Sequence, residues 1–295
     1  MIRPAICKGF GFLAALALSA CGPEAAPNLP EPQPALWAVT APSGRPAGWL
    51  FGTIHALPDG AEWRTSGIDK AIEGADLLVV EVRDLEDSGK LAAIFTRLSH
   101  SYGLPPLSAR VPRGLQDRLR ALLAKGGYRE ADFRATETWG AAIALAQLAD
   151  QSDGDNGVDR ALLADFGTRR IEELEGVDGQ FGIFDSLPER DQRDLLEAVL
   201  EDDTMSADDS AKLARLWLTG DMEAIAREGD EGMLADPELR DALLTKRNRD
   251  WAVKLEKLYG AGLKPLVAVG AAHLAPPGGL VELLQAKGYS VARVR

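Results

Sequence analysis

The sequence predicts an α/β fold, a mixed sheet built from both ends of the chain with a helical insertion or cap between them. Three observations predict it. Apolar runs of strand length cluster near the two ends: Leu36 to Thr40, Trp49 to Ile54 and Asp76 to Val82 early, Lys264 to Val269 and Tyr289 to Val294 late. Between them, apolar residues recur at helical spacing. The early run DLLVVEV is almost uninterrupted, which suits a strand covered on both faces.

Residues 1–20 precede the fold. Arg3 and Lys8 give a basic start, Phe10 to Leu18 is apolar, and Leu18-Ser19-Ala20 leads into Cys21. This pattern is a secretory signal, too short for a membrane span. Small residues before a cysteine fit lipoprotein processing, which makes Cys21 the lipid-carrying first residue of the mature chain. The expected location is the periplasmic side of a bacterial membrane, preferentially the outer one, with membrane contact through the lipid alone. Residues 21–35 are Pro-rich and read as an extended tether. The α/β domain then occupies 36–295, its helical insertion spanning about 100–260.

The first two strands form a hairpin across APSGRP, Ala41 to Pro46. A short helix around Ser66 to Glu73 leads into the DLLVVEV strand. From Pro112 to Asp150, Leu115, Leu119, Leu122 and Leu123, then Trp139, Ile143, Leu145 and Leu148, mark helices, and another runs from Val158 to Phe166. RRIEELEG, Arg169 to Gly176, is polar for a strand and belongs at a sheet edge, ending in Glu175. Helices follow over Pro188 to Leu200, Ala207 to Leu218 and Pro237 to Tyr259, the last closed by Gly260 and Gly262. A final helix, Gly278 to Lys287, separates the last two strands.

Composition removes several function classes. The net charge is -12 for the whole chain, and without Arg3 and Lys8 it is 31 basic residues against 45 acidic, or -14. Nucleic acid is excluded as a partner, because its phosphates would be repelled. Only Cys7 and Cys21 exist, so neither a disulfide framework nor a thiol nucleophile is available to the mature domain. The chain has no Gly-x-Ser-x-Gly elbow, HExxH helix, Walker loop or dinucleotide fingerprint after the signal.

Two of the three histidines share one local frame. WLFGTIHALPDG places Gly52 three residues before His55, and LVAVGAAHLAPPGG places Gly270 three before His273. With 30 glycines in 295 residues, such a repeat arises by accident roughly three times in a hundred. Its context adds weight, since both histidines follow an apolar strand and precede a proline turn. Ligands of α/β sheets sit beyond the carboxyl ends of strands, and a glycine there permits close backbone approach. Glu81 stands near the carboxyl end of a third strand. Two imidazoles and a carboxylate from three strand ends suit an open divalent metal site, with zinc, manganese or related metals as candidates. His100, in RLSHSYG, has no such frame and reads as a surface or structural residue.

LWAVTAPSGRPAGWLFGTIHALP, DLLVVEV, IEELEGVDGQ, KRNRDWA and VAVGAAHLAPPGGLVELLQAKGYSVARV occur in one order over nearly the whole mature chain. Together they resemble the TraB/GumN family, which includes the animal Tiki proteins. The resemblance implies a metal-dependent hydrolase of peptide bonds, with His55, Glu81 and His273 as its metal and catalytic residues. It also implies an erythromycin-esterase-like or ChaN-like core. Glu175 and Gln180 resemble the family's Leu-Glu-x-x-x-x-Gln stretch, and Arg247 with Asn248 resembles its Arg-Asn pair, though Lys246 stands where many relatives carry an acid. Arg247 is suited to orient a carboxylate or polarise a carbonyl, and Asn248 to bond substrate or a ligand.

The expected function is a lipid-anchored envelope metallohydrolase acting on a peptide or protein. Glu81 is either the third ligand or the general base. The alternatives are a haem- or metal-binding lipoprotein without turnover, and a partner-binding lipoprotein that keeps the fold alone.

Overall fold

A computed structural model describes residues 29–84, 87–149, 156–201, 207–231 and 233–294. The signal, Cys21 and most of the tether lie outside the described residues.

The strands are β1 Leu36–Thr40, β2 Pro46–Thr53, β3 Leu77–Val80, β4 Ile171–Glu173, β5 Pro265–Gly270 and β6 Ser290–Arg293. They form one six-stranded sheet in the order β4-β3-β5-β2-β1-β6. The run β4, β3, β5 and β2 is parallel, and β1 pairs antiparallel with both β2 and β6. The sheet therefore draws four strands from the two ends of the chain, β3 from just inside and β4 from the middle. As its polarity predicted, β4 is an edge strand. It is three residues long rather than eight, because Leu174 donates its N–H to Val80 while Glu175 already turns toward a helix.

The α-helices are α1 Ser66–Gly74, α2 Ser88–Leu98, α3 Gln116–Lys125, α4 Thr138–Ala149, α5 Val158–Phe166, α6 Gly176–Asp185, α7 Glu189–Glu201, α8 Ala207–Thr219, α9 Met222–Glu231, α10 Pro237–Arg240, α11 Lys246–Gly260 and α12 Leu280–Ala286. The expected α/β class with a mixed sheet is thus observed. Helices α2, α6 and α9 have no counterpart in the apolar pattern, since their buried stripes are short and α6 carries three glycines.

Two large hydrophobic clusters divide the interior among the described residues, with a small third around Val82, Ile94 and Val177. The larger surrounds the sheet, where Leu50, Phe51, Leu77, Leu78 and Val267 meet Trp217, Trp251 and Leu255. Helices α5, α8 and α11 join this core. The second gathers Leu119, Leu122, Trp139, Leu145, Leu195 and Leu196 from α3, α4 and α7. Each fully buried large side chain contributes about 1.5–3 kcal/mol by leaving water, so both clusters are substantial.

The predicted single helix over Pro237 to Tyr259 is observed as α10, a π-helical turn at Asp241–Thr245, and α11. A π turn holds more residues than an α turn, so it re-phases the helix that follows. Here it precedes the turn that carries Arg247, Asn248 and Trp251.

Candidate active site

Four parallel strands end along one edge of the sheet, and each delivers one polar side chain just beyond its carboxyl end. Across the sheet these are Glu175 after β4, Glu81 after β3, His273 after β5 and His55 after β2. Parallel pairing is the cause, because it sends the carboxyl ends of all four strands to the same side. Helix α11 adds Arg247, Asn248 and Trp251, which at spacings of three and four share one helix face.

The glycines of the two Gly-x-x-His motifs act as spacers. A Cβ on Gly52 would lie 3.2 Å from Cα of Ala271, in the turn that carries His273. A Cβ on Gly270 would lie 3.4 Å from Glu81 Oε1, the oxygen that accepts the Gly270 N–H at 2.9 Å. The first motif thus packs on the second, and the second holds Glu81. Close approach, the role expected of these glycines, is the role they have.

Arg247 is the centre of the hydrogen-bond network. Its Nε donates to Glu175 Oε1 at 2.8 Å, and Nη2 donates to Glu175 Oε2 at 2.9 Å and to Glu81 Oε2 at 2.7 Å. Nη1 donates to the Leu243 carbonyl at 2.9 Å and lies 3.2 Å from His273 Nε2. All five guanidinium N–H groups are engaged. Burial opposes the charge of Arg247, but its bonds to Glu175 and the negative charges of Glu81 and Glu175 outweigh that cost and raise its pKa above the usual arginine value. Trp251 donates to Glu175 Oε1 at 2.9 Å and lies beneath both the guanidinium, 4.7 Å from its ring centre, and the His273 ring, 4.3 Å centre to centre.

His273 is nearly enclosed, with 7% of its side chain exposed. Its Nδ1 is 2.6 Å from Asn248 Oδ1, while Asn248 Nδ2 donates to the Gly278 carbonyl. That second bond orients the amide, so Oδ1 must accept and Nδ1 must carry the proton. Nε2 then carries the lone pair, 4.0 Å from Glu81 Oε1 and facing the Arg247 Nη1 donor at 3.2 Å. Burial, then the Arg247 charge, then His55 push its pKa well below the ordinary histidine value.

His55 is the open counterpart, its side chain 83% exposed. Nδ1 lies 3.1 Å from Asp159 Oδ2 on the first turn of α5, and the Val158 N–H donates to the Ile54 carbonyl, joining the two segments. The carboxylate accepts, so Nε2 of this histidine is again the free nitrogen. The bond to Asp159 raises its pKa against a smaller opposing cost from its protein surroundings, and both Glu81 and Arg247 act on it electrostatically.

The structure thus brings Glu81, Glu175, Arg247, Asn248 and His273 into direct contact and sets His55 beside them. Gln180 lies half-buried on α6 and makes no hydrogen bond to these groups among the described residues. His100 is exposed and stacks edge-on with Tyr102, as its lack of a motif suggested. Sequence reasoning missed Asp159 and Trp251. The helical spacing of KRNRDWA carried a signal for Trp251, whereas Asp159 is one of many acidic residues in a first helical turn. Among the described residues no three His, Cys, Asp or Glu side chains stand together as a metal-holding cluster.

The model of the TraB/PrgY/gumN family matches residues 35–293. The chain belongs to that family. The match spans both Gly-x-x-His motifs and every residue of the network above, so the site lies wholly within the TraB/PrgY/gumN region. No curated protein and no solved structure matches the chain.

Proposed function

We propose that this TraB/PrgY/gumN protein is a metal-dependent hydrolase acting on peptide or protein substrates, with its site at the joined strand ends. The observation that carries the reading is the shared state of the two histidines. Each has Nδ1 tied to an oxygen acceptor, Asp159 for His55 and Asn248 for His273, so in each neutral ring the lone pair lies on Nε2, where that of His273 meets Arg247 Nη1. Outer partners of this kind fix the tautomer and ring direction of ligating histidines.

The donor set fits a divalent ion in its chemistry. His273 offers the lone pair of Nε2, Glu81 a carboxylate and His55 an accessible imidazole, a mixed N/O set suited to manganese, cobalt or zinc once Arg247 gives way at the first two. Held by these residues, the ion would supply Lewis-acid polarisation of a scissile carbonyl. Asn248 fixes His273, Asp159 fixes His55, and the Gly270 N–H fixes Glu81 in the direction it needs to bind or to take a proton. His55, being exposed, is the group of the set that substrate meets first. The proposed setting is the periplasmic side of a bacterial membrane, with Cys21 carrying the lipid. No helix of the described residues is long and apolar enough to cross a membrane.

The test is metal analysis of the purified protein, wild type against His55→Ala and His273→Ala, alongside metal-dependent cleavage of an unstructured peptide pool. The expected result is near-stoichiometric metal and cleavage in the wild type, with both lost in each variant. Metal content unchanged in the two variants would sink the reading.

A further inference from the structure

Arg247 stands between the two donors that an ion would need. Its Nη2 bonds Glu81, and its Nη1 covers the lone pair of His273 Nε2. Its contacts are unequal. Glu175 holds the guanidinium by two bonds, Nε to Oε1 and Nη2 to Oε2, a forked geometry that is stronger and more directional than a single bond. Glu81 holds it by one, and the His273 contact is longer, at 3.2 Å. The Glu175 end is also fixed from outside, since Trp251 donates to Oε1 and Lys254 donates to the neighbouring Leu174 carbonyl. Glu81 is fixed independently by the Gly270 N–H, so it keeps its place without the arginine.

We propose that Arg247 is the resident cation of this site, competing with a divalent ion for Glu81 and His273, and that Glu175 is the carboxylate that keeps it paired when an ion binds. This rests on the ion-binding reading above. Charge gives the reason for two carboxylates around one guanidinium. Glu81, Glu175 and Arg247 together carry one net negative charge. A divalent ion joined to Glu81 next to an Arg247 without Glu175 would put two strong cations side by side in a buried setting. Glu175 offsets that repulsion: the ion takes over Glu81 while the guanidinium stays paired with Glu175, and the set passes from one net negative to one net positive charge.

The test is a direct titration of the purified protein with Mn²⁺ alone, read by the electron paramagnetic resonance signal of the free ion, with folding followed by circular dichroism. Arg247→Met should tighten Mn²⁺ binding by roughly tenfold or more, and Glu175→Gln should weaken it by about the same factor, because the arginine then has only Glu81 to pair with. Arg247→Met leaves two carboxylates in a poorly solvated pocket and is prone to misfolding. The double variant Arg247→Met/Glu175→Gln avoids this and should bind Mn²⁺ more tightly than Glu175→Gln alone. Wild type that binds through His273 while neither arginine variant binds more tightly would overturn the competition and leave the ion site standing. If neither wild type nor the arginine variants bind Mn²⁺ in a His273-dependent way, both readings fail. Binding that appears only when Arg247 is replaced, and disappears with His273→Ala, supports the competition.

Discussion

The two Gly-x-x-His motifs are alike in sequence and opposite in surroundings. His273 has 7% of its side chain exposed and lies on Trp251, while His55 is 83% exposed and touches Asp159. Both follow adjacent parallel strands, with Thr53 paired to Gly270. What differs is the cover: α11 closes over the second motif, whereas the first opens to solvent beside α5. One local frame thus yields a rigid buried group and an accessible one, a division of labour that the motif alone does not encode.

The largest expected difference between the halves is in stability. His273→Ala removes a buried ring and orphans Asn248 Oδ1, which should cost about 2–4 kcal/mol in denaturant unfolding. His55→Ala should stay within about 0.5 kcal/mol of wild type, as an exposed change away from the core does. Comparable losses in both variants would mean that the first motif is also closed over in solution.

The glycines should divide the same way. Gly52→Ala pushes a methyl onto backbone of the Ala271 turn at 3.2 Å, so it should cost about 1–3 kcal/mol and disturb His273. Gly270→Ala meets a side-chain oxygen at 3.4 Å that can yield, so its loss in thermal or denaturant unfolding should be the smaller.

Protonation offers a third contrast, readable by nuclear magnetic resonance because the chain has only three histidines. In metal-free protein His55 should titrate above the ordinary histidine value and His273 well below it. The linked effects on stability have opposite signs. The His55 pairing contributes fully below the unfolded pKa of about 6.5 and is lost as pH rises through the folded value. The neutral His273 contributes above about 6.5, and that contribution is lost as pH falls toward its lower folded value, since the unfolded chain then gains a proton that the folded chain refuses.

The smallest expected effect is that of Asp159→Asn. It should bring the His55 titration back toward the ordinary value, leave that of His273 nearly unmoved, and change stability by less than about 1 kcal/mol. An equal shift in both histidines would show the two halves to be more strongly coupled than their contacts suggest.

Much of this arrangement was legible beforehand. Periodicity identified the five apolar strands and most helices, and the polarity of the IEE strand placed it at an edge. Charge on a β-strand excludes burial between neighbours, a local property that a sequence displays directly. The Gly-x-x-His repeat and the strand ends singled out His55, His273 and Glu81, the family resemblance added Glu175, Gln180, Arg247 and Asn248, and all but Gln180 and the separately placed His55 prove to be in one bonded network. Asp159 and Trp251 were missed because an acid near a helix start and a tryptophan on an apolar stripe each have common structural uses.

By itself the sequence determined the elements, the glycine spacers and the set of polar residues that end strands, because those follow from side-chain periodicity and local backbone sterics. Only the tertiary structure decided that β4, β3, β5 and β2 lie side by side and parallel, so that four distant residues meet along one edge. It also decided which histidine is buried and that Arg247 spends all five of its donors inside the site. Those outcomes depend on which surfaces pack across the fold, and a linear pattern of residues carries no record of its distant neighbours.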